Sequence, residues 1–569
     1  MRYVALASDY DGTLALDGQV DEPTIFALQR LRASGRRLIL VSGRELEDLL
    51  RVFPQITLCD LAVLENGALL YHPASRKAQP LGPPPPAAFI AALQARGVTP
   101  LSVGRVIVAT WHPNETVVLE VIRELGLELQ VIFNKGAVMV LPPGINKASG
   151  LVAALRELSI SPHNVVAVGD AENDHALLQL CECAVAVANA LPSVKTAVDW
   201  VTQGDHGAGV RELIDRLIAT DLRDLEPRLT RHHILLGERE DGTPVQLPPY
   251  GVNVLLAGPS GSGKSTVATG ILERLIAQGY QICGIDPEGD YEHFAGAIVL
   301  GDRHRAPSVE EVLEVLARPD QNVVVNLLGL PLEDRPAYFN ALLARLMELR
   351  THTGRPHWIV ADETHHLLPP NWAPATGMLP QDLQGLLMIT VHPNQIAPAV
   401  LTTVDLVLAI GADPGATLQQ FGATVGQPLP PFADHAGNAL DAIAWWQRRE
   451  PPFRLRVAPP AAERQRHRRK YAEGELGPDK SFYFRGPEDR LNLRAQNLQL
   501  FMQLAEGVDD ATWQYHLRRG DYARWFRESI GDAELAAVAE RVAAQAELPT
   551  EESRAAIRRA IEERYTRPA

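Results

Sequence analysis

The chain has 569 residues, 46% of them hydrophobic and 22% charged, with a formal net charge of −15. At about 100 to 200 residues per domain this predicts three or four folding units, and it excludes both a single domain and wholesale disorder. The acidity argues against diffuse attraction to nucleic acid, and the longest apolar runs fall short of the roughly 18 to 20 residues that cross a bilayer.

Residues 1 to about 220 alternate short apolar runs (YVALAS, RLILVS, LAVLE, NVVAVGD, CAVAVA) with helical stretches, the pattern of a parallel α/β sheet. Carboxylates arrive by Asp9, where a secretory signal would have its apolar core, so a cytoplasmic protein is expected. Between about 69 and 145 lies a proline-bracketed stretch with its own strands (RVIVATW, LQVIF, AVMVL) and a helix (NETVVLEVIRELG), which predicts an inserted module. Cys181 and Cys183 lack a second Cys/His pair, so buried thiols are expected rather than a zinc site. A second α/β domain is predicted over 230–455 from NVLLAG, QICGID, VVVNLLG, WIVADE, LLMIT and LVLAIG. Residues 456–479, with proline and the basic run RQRHRRK, read as a linker, and 480–569 as a helical domain. There Trp513, Leu517, Tyr522, Trp525 and Phe526 recur near helical spacing and predict a packing stripe rather than a nucleic-acid platform.

The first chemical constellation begins at Asp9-Tyr10-Asp11-Gly12-Thr13, at the end of the first strand. Alternation places Asp9 and Asp11 on one side of the chain, where one carboxylate can attack phosphorus and the other pass a proton to the leaving group. Ser42-Gly43-Arg44 offers a hydroxyl and backbone N–H groups to a phosphate, and Lys147, opening a helix, can neutralise phosphoryl oxygens. Asp170 and Asp174, in GDxxND, add hard oxygen ligands suited to Mg²⁺.

DYDGT, LVSGR, the NK pair and GDAENDHALL stand in the order of the four motifs of the haloacid dehalogenase (HAD) phosphatase superfamily, and ENGA (65–68) is a mark of its Cof-type, or IIB, branch. The sequence resembles that branch over 1–215. The resemblance implies a Rossmann-like core with an inserted α/β cap at about 69–145 that chooses among phosphomonoesters such as sugar phosphates. It implies Asp9 as the nucleophile that forms an aspartyl phosphate and Asp11 as the acid/base. Ser42 and Lys147 would hold the phosphoryl group. Mg²⁺ would be bound by Asp9, Asp11 (through its carbonyl) and Asp170, with Asp174 in support; Asn173 sits where the branch adds a polar contact. His112, Asn114 and Asn134 are polar residues of the expected cap, read as solvated or locally bonded.

The second constellation is Gly258-Pro259-Ser260-Gly261-Ser262-Gly263-Lys264-Ser265, followed by Thr266, between an apolar strand and a helix. It fits the GxxxxGK[ST] phosphate cradle of ATP-binding proteins: backbone N–H groups converge on phosphate, Lys264 reaches the β- and γ-oxygens and Ser265 ligates Mg²⁺. The strand WIVA then ends at Asp362 and Glu363, which can hold the metal through water and polarise an attacking water. DPEGDY (286–291), VVVNLLGL and LLMITVHPNQI make this region resemble HerA-like P-loop ATPases over 230–430. That resemblance implies a RecA-like core working as a ring, with Thr390 or His392 as sensor. Val391-His392-Pro393 departs from the translocase pattern, and Arg345, Arg350 and Arg355 are candidate arginine fingers whose expected role is surface charge.

Together these features predict a Mg²⁺-dependent phosphatase of a small phosphorylated substrate, fused to an ATP-hydrolysing domain that regulates or assembles it as a homo-oligomer, without a membrane. Two alternatives stay open: a nucleic-acid end-processing enzyme, with nucleic acid a less favoured partner, and a nucleotide-dependent scaffold carrying a metabolite sensor.

Overall fold

The computed structural model describes residues 1–292, 294–372, 383–432, 441–460, 476, 481–530, 532–545 and 548–566. The chain divides into Met1–Ala458 and Pro459–Ala569. The apolar runs of the first 220 residues become β1 (Ala5–Asp9), β2 (Arg37–Val41), β3 (Leu61–Leu64), β4 (Leu69–His72) and β5 (Lys77–Pro80), then, beyond the insertion, β10 (Val165–Gly169), β11 (Cys183–Ala186) and β12 (Trp200–Val201). They form one sheet in the order β12-β11-β10-β1-β2-β3-β4-β5, parallel from β12 to β3. Strands buried on both faces have no polar side to show, which is why β1, β3, β10 and β11 are buried at every position. Cys181 and Cys183 are buried free thiols.

The insertion has a sheet of its own, β6 (Ser102–Val103), β7 (Val108–Trp111), β8 (Gln130–Asn134) and β9 (Ala137–Leu141), antiparallel in the order β6-β7-β9-β8. Helices Ala87–Ala95 and Glu115–Glu124 cover it, closing a small core around Phe89, Leu93, Val118 and Val140. The expected boundary at 69 is too early. Residues 69–80 form β4, antiparallel to β3, and β5, antiparallel to β4, and belong to the main sheet.

The second sheet comprises β13 (Ile234–Glu238), β14 (Pro244–Leu247), β15 (Val254–Ala257), β16 (Ile282–Asp286), β17 (Ile298–Leu300), β18 (Val323–Asn326), β19 (Trp358–Ala361), β20 (Leu386–Thr390), β21 (Leu406–Ile410), β22 (Asp441–Trp446) and β23 (Phe453–Val457). Its order is β14-β13-β23-β22-β21-β15-β20-β19-β16-β18-β17, parallel from β21 to β17, with one apolar cluster on each face. Residues 456 and 457, read as the start of the linker, instead complete the strand β23, paired with β22 and β13. The remainder of the expected linker, with RQRHRRK, lies almost wholly outside the described residues.

The two sheets meet through the N-terminal ends of their strands, across a buried polar seam. Glu182 accepts from Arg2 at 2.7 Å, from the Tyr280 hydroxyl at 2.7 Å and from His163 Nδ1 at 2.8 Å. His163 Nε2 lies 2.7 Å from the Gln278 carbonyl, and its ring stacks on Tyr280 at 3.8 Å. The Gln281 N–H donates to His357 Nδ1, whose other ring nitrogen lies 3.1 Å from Asn164 Oδ1. Arg355 donates to Gln281, to the Leu316 carbonyl and to the Ser159 carbonyl. Arg355 is therefore buried between domains, and Arg350 is spent on the carbonyls of Pro356, His357 and Gln384. Neither carries surface charge; of the three finger candidates only Arg345 is exposed, paired with Glu348.

The second unit holds the hairpin β24 (Phe482–Phe484) and β25 (Leu493–Ala495), then helices Leu498–Gly507, Asp510–Arg518, Asp521–Glu528, Ala533–Ala544 and Thr550–Ile561. Trp513, Leu517, Tyr522, Trp525 and Phe526 are all buried in its core, so the expected stripe is packing. No described helix is long and apolar enough to cross a membrane.

Candidate active sites

β1, β2 and β10 all end at the same edge of the first sheet, so Asp9, Ser42 and Asp170 arrive together without any loop having to search for them. The helix Lys147–Leu158 starts there, its Asn146 cap accepting from the Ser149 N–H, which aims the first residue into the site. Lys147 Nζ donates to Asp9 Oδ1 at 2.5 Å and to Asp174 Oδ1 at 2.6 Å, all three side chains being buried. Asp174 Oδ2 accepts the N–H groups of Asp170 and Ala171, which locks the turn after β10. Thr13 donates to Asp170 Oδ1 at 3.2 Å.

Asp9, Asp170 and Asp174 present carboxylate oxygens within 4.8 Å of one another. Burial, together with the charge of Asp174, pushes Asp9 up to about 8 against the pull of Lys147. Lys147, depressed by burial, is carried above its ordinary value by Asp174 and Asp9. Three buried carboxylates facing one buried ammonium leave a negative excess, and an all-oxygen donor set of this kind fits a divalent cation such as Mg²⁺.

Asp11 points elsewhere. Its carboxylate is gripped bidentately by Arg44 at 2.7 Å to each oxygen, and Arg44 also reaches Asp48. Ser42 Oγ accepts the Arg44 N–H at 3.1 Å, so the hydroxyl is free to donate. His112 pairs with Glu115 on the surface and Asn114 bonds to Thr110, as local contacts.

Glu65, with its neighbour Gly67, and Lys135 contribute without having been assigned from the sequence. Glu65 Oε1 and Oε2 accept the N–H groups of Arg105, Val106 and Ile107 at 2.8 to 3.0 Å, tying the inserted module to the main sheet. The ENGA signal marked the position but not this clamp. Gly67, at φ 107, lets the Asn146 carbonyl approach so closely that a Cβ would lie 1.9 Å from it; the lysine-bearing helix sits on that glycine. Lys135 lies in the turn between β8 and β9, and its Nζ donates to Asp170 Oδ2.

At the second sheet β15 runs into the phosphate cradle. Gly261 at φ 76 and Gly263 at φ 95 make its turns, and the helix Lys264–Ala277 begins immediately. Lys264 Nζ bonds the carbonyls of Gly258 and Pro259 at 2.9 and 3.0 Å, and Ser262 Oγ is buried with no partner. A folded-back cation and an orphaned hydroxyl in a glycine-turned loop at a helix start fit a nucleotide's phosphates. Asp362 ends β19 opposite the cradle; burial, with Glu363, Asp286 and Asp290 beside it, raises it to about 8. Glu363 sits at φ 38 and is also pushed up by burial and by Glu288. Burial lowers Lys264, while Glu363 and Asp362 support its charge. Asp286 is committed to its own turn, accepting the N–H groups of Glu288, Gly289, Asp290 and Tyr291. Thr390 Oγ1 meets His365 Nδ1 at 3.1 Å and accepts the His392 N–H, so Thr390 is the candidate sensor tied into the site.

Residues 6–80 and 117–214 match the family model described as haloacid dehalogenase-like hydrolase, and 253–339 match that of the helicase HerA central domain. Phosphoglycolate phosphatase 2 of Saccharolobus solfataricus is 30% identical over 234 residues, 38% of this chain and 93% of that protein. The phosphoglycolate phosphatase of Methanothermobacter thermautotrophicus is 29% identical over 38% of this chain and 98% of its own. Among solved structures, a HAD subclass IIB sugar phosphatase is 19% identical, with a TM-score of 0.33, over 37% of this chain and 98% of its own. A haloacid dehalogenase-like hydrolase from Bacteroides thetaiotaomicron is 20% identical, with the same TM-score of 0.33, over 38% of this chain and 99% of its own. With these motifs assembled at one sheet edge, and relatives matched over nearly their whole length, the chain belongs to the haloacid dehalogenase-like hydrolases, in a form fused to a HerA-type domain.

Proposed function

We propose that the first domain hydrolyses a small phosphomonoester of the phosphoglycolate kind through an aspartyl phosphate on Asp9. The observation that carries this is the buried Asp9–Lys147–Asp174 constellation at the strand edge. Asp9 Oδ attacks phosphorus, the bond to the leaving oxygen breaks, and Asp11, which must turn from Arg44 toward the site to act, delivers the proton that this oxygen needs. Water then attacks the phosphoaspartate, giving its proton to Asp11, and phosphate departs with Asp9 regenerated. Lys147 and Ser42 hold phosphoryl oxygens. Asp9, Asp170 and the Asp11 carbonyl, with Asp174 in support, would hold Mg²⁺, which would supply charge neutralisation for the phosphoryl group. The inserted module acts as the cap. Phosphate release from phosphoglycolate with Mg²⁺, compared between wild type and Asp9→Asn, tests this: activity confined to the wild type is expected, and an active Asp9→Asn would refute it.

The second domain is read as a RecA-like ATPase. β15 lies between β20 and β21, with the cradle at its end and Asp362 and Glu363 two strands away, which supports that reading. With Arg350 and Arg355 spent internally, a finger would come from a second copy; mass in solution with and without ATP checks this.

The seam supports a regulatory link. The helix from Lys147 ends at Leu158, next to Ser159, which Arg355 holds; β10 starts beside Asn164 and ends before Asp170. Across the seam, the helix from Lys264 ends beside Gln278, and β19 starts beside His357 and ends before Asp362. Rigid elements thus join the two sites end to end. A change in phosphoglycolate turnover on adding ATP is expected in wild type and absent in Lys264→Ala; identical rates in all four conditions would sink the link.

A further inference from the structure

β8 and β9 pair up to Asn134 and Ala137, so Lys135 and Gly136 form a two-residue turn, with φ 48 and 89. Such turns take asparagine, aspartate or glycine at their first position because side chains are disfavoured there. A lysine held in that conformation points to a use for the side chain. Its Nζ crosses from the inserted module to Asp170 Oδ2, passing over Gly12, where a Cβ would lie 2.3 Å from Asp170 Oδ2 and 2.8 Å from Lys135 Nζ. Gly12 is therefore the opening through which the module reaches the carboxylates.

The side chains of Asn66, Asn134 and Asn173 have buried polar atoms that are unspent. Asn173 Nδ2 donates to Asn66 Oδ1, yet Asn66 Nδ2, Asn173 Oδ1 and Asn134 Oδ1 have no partner. β8 packs against the turn that carries Asn173. Orphaned buried amides cost free energy unless a ligand completes them. An ammonium and a divalent cation repel and compete for one carboxylate oxygen, so a cation at Asp170 turns the Lys135 charge toward the substrate.

We propose that Lys135 is the specificity-determining residue of the phosphatase site. It receives a second anionic group, a carboxylate, on the leaving group of the phosphomonoester, and Asn66 Nδ2, the unpartnered amide donor bonded to neither Asn173 nor Asn134, can donate to that group. This rests on the phosphatase reading above and narrows its substrate class to small phosphomonoesters bearing a carboxylate.

The test compares phosphoglycolate with hydroxyethyl phosphate, a phosphomonoester of similar length without the carboxylate, in wild type, Lys135→Met and Lys135→Arg. In Lys135→Met, kcat/KM for phosphoglycolate is expected to fall about 10- to 100-fold, mostly through KM, and for hydroxyethyl phosphate less than about threefold. Lys135→Arg recovers most of the loss. Mg²⁺ titration by calorimetry, without substrate, gives tighter binding in Lys135→Met, because the competing ammonium is gone. Equal losses on both substrates, no loss on either, or equal Mg²⁺ affinity in wild type and Lys135→Met would overturn the assignment. A wild type that cleaves both substrates without preference defeats this inference and leaves the phosphatase standing; a wild type that cleaves neither defeats the phosphatase reading itself.

Discussion

Glu182→Gln gives the sharpest test of the seam. Glu182 is 2% exposed and takes hydrogen bonds from Arg2, His163 and Tyr280, two of them from groups that can bear positive charge. Burial alone would raise its pKa, but the His163 bond and the charges of Arg2, His163 and His232 outweigh burial and hold it far below the usual carboxylate range. The amide keeps the shape and loses the charge, leaving Arg2, itself 6% exposed, with Glu226 at 3.5 Å as its charged partner and the Tyr3 and Tyr250 rings beside it. Breaking a buried pair on one side costs about 3 to 5 kcal/mol, and because glutamine retains one acceptor oxygen the expected loss is about 3 kcal/mol. Urea unfolding of the full chain, followed by tryptophan fluorescence, measures it, and hydrogen exchange at 163–169 and 278–286 locates it. The sign with pH follows from the depressed value. The contribution is complete above about pH 5, beyond the unfolded carboxylate range, and is lost as pH falls toward the folded value. The gap between wild type and variant is therefore widest at neutrality and narrows in acid. A loss below about 1 kcal/mol, or a gap that widens on acidification, would refute the reasoning.

Glu65→Ala removes the acceptor of three module N–H groups, so amide exchange at 105–107 should accelerate at least about tenfold and stability fall by about 2 kcal/mol. Gly67→Ala drives a methyl into the Asn146 carbonyl and should lower the melting temperature far more than Gly126→Ala, which has a similar backbone hand at φ 61 but open space around it; equal effects would contradict the close approach. Lys264→Ala should abolish binding of a fluorescent ATP analogue, while phosphoglycolate hydrolysis without nucleotide stays within about twofold of wild type.

The two site edges were legible because each motif ends an apolar run: a strand that must be buried delivers its last residue to the sheet edge, whatever the rest of the fold does. Asp9, Asp170, Lys264 and Asp362 needed only that local rule. Asp11 shows its limit. Alternation put it beside Asp9, but the choice of Arg44 as its partner depends on the approach of β2, which spacing does not encode. The module boundary failed for a similar reason, since β4 and β5 look like any short strands until β3 offers them an edge. Arg355 and Arg350 looked like surface charge because burial of an arginine is decided by carbonyls from distant segments. Lys135 was invisible for the same reason: its significance lies in Asp170, 35 residues on.

The seam also bounds what a link between the sites can be. It is built from side chains whose hydrogen bonds are nearly all made, so a small displacement of one domain cannot be absorbed gradually; bonds either hold or break. Coupling free energies between sites commonly amount to about 1 to 3 kcal/mol, which one or two such bonds supply. The Arg355 bond to Ser159 and the His163 contact with Gln278 are the pair best placed, because each joins the far end of a helix that begins with a lysine of a candidate site. Arg355→Met should therefore uncouple phosphoglycolate turnover from ATP while each activity, measured alone, persists. Retention of the full ATP effect in Arg355→Met would move the coupling away from this contact, and loss of ATP hydrolysis itself would show that Arg355 supports the nucleotide site rather than communication between the two.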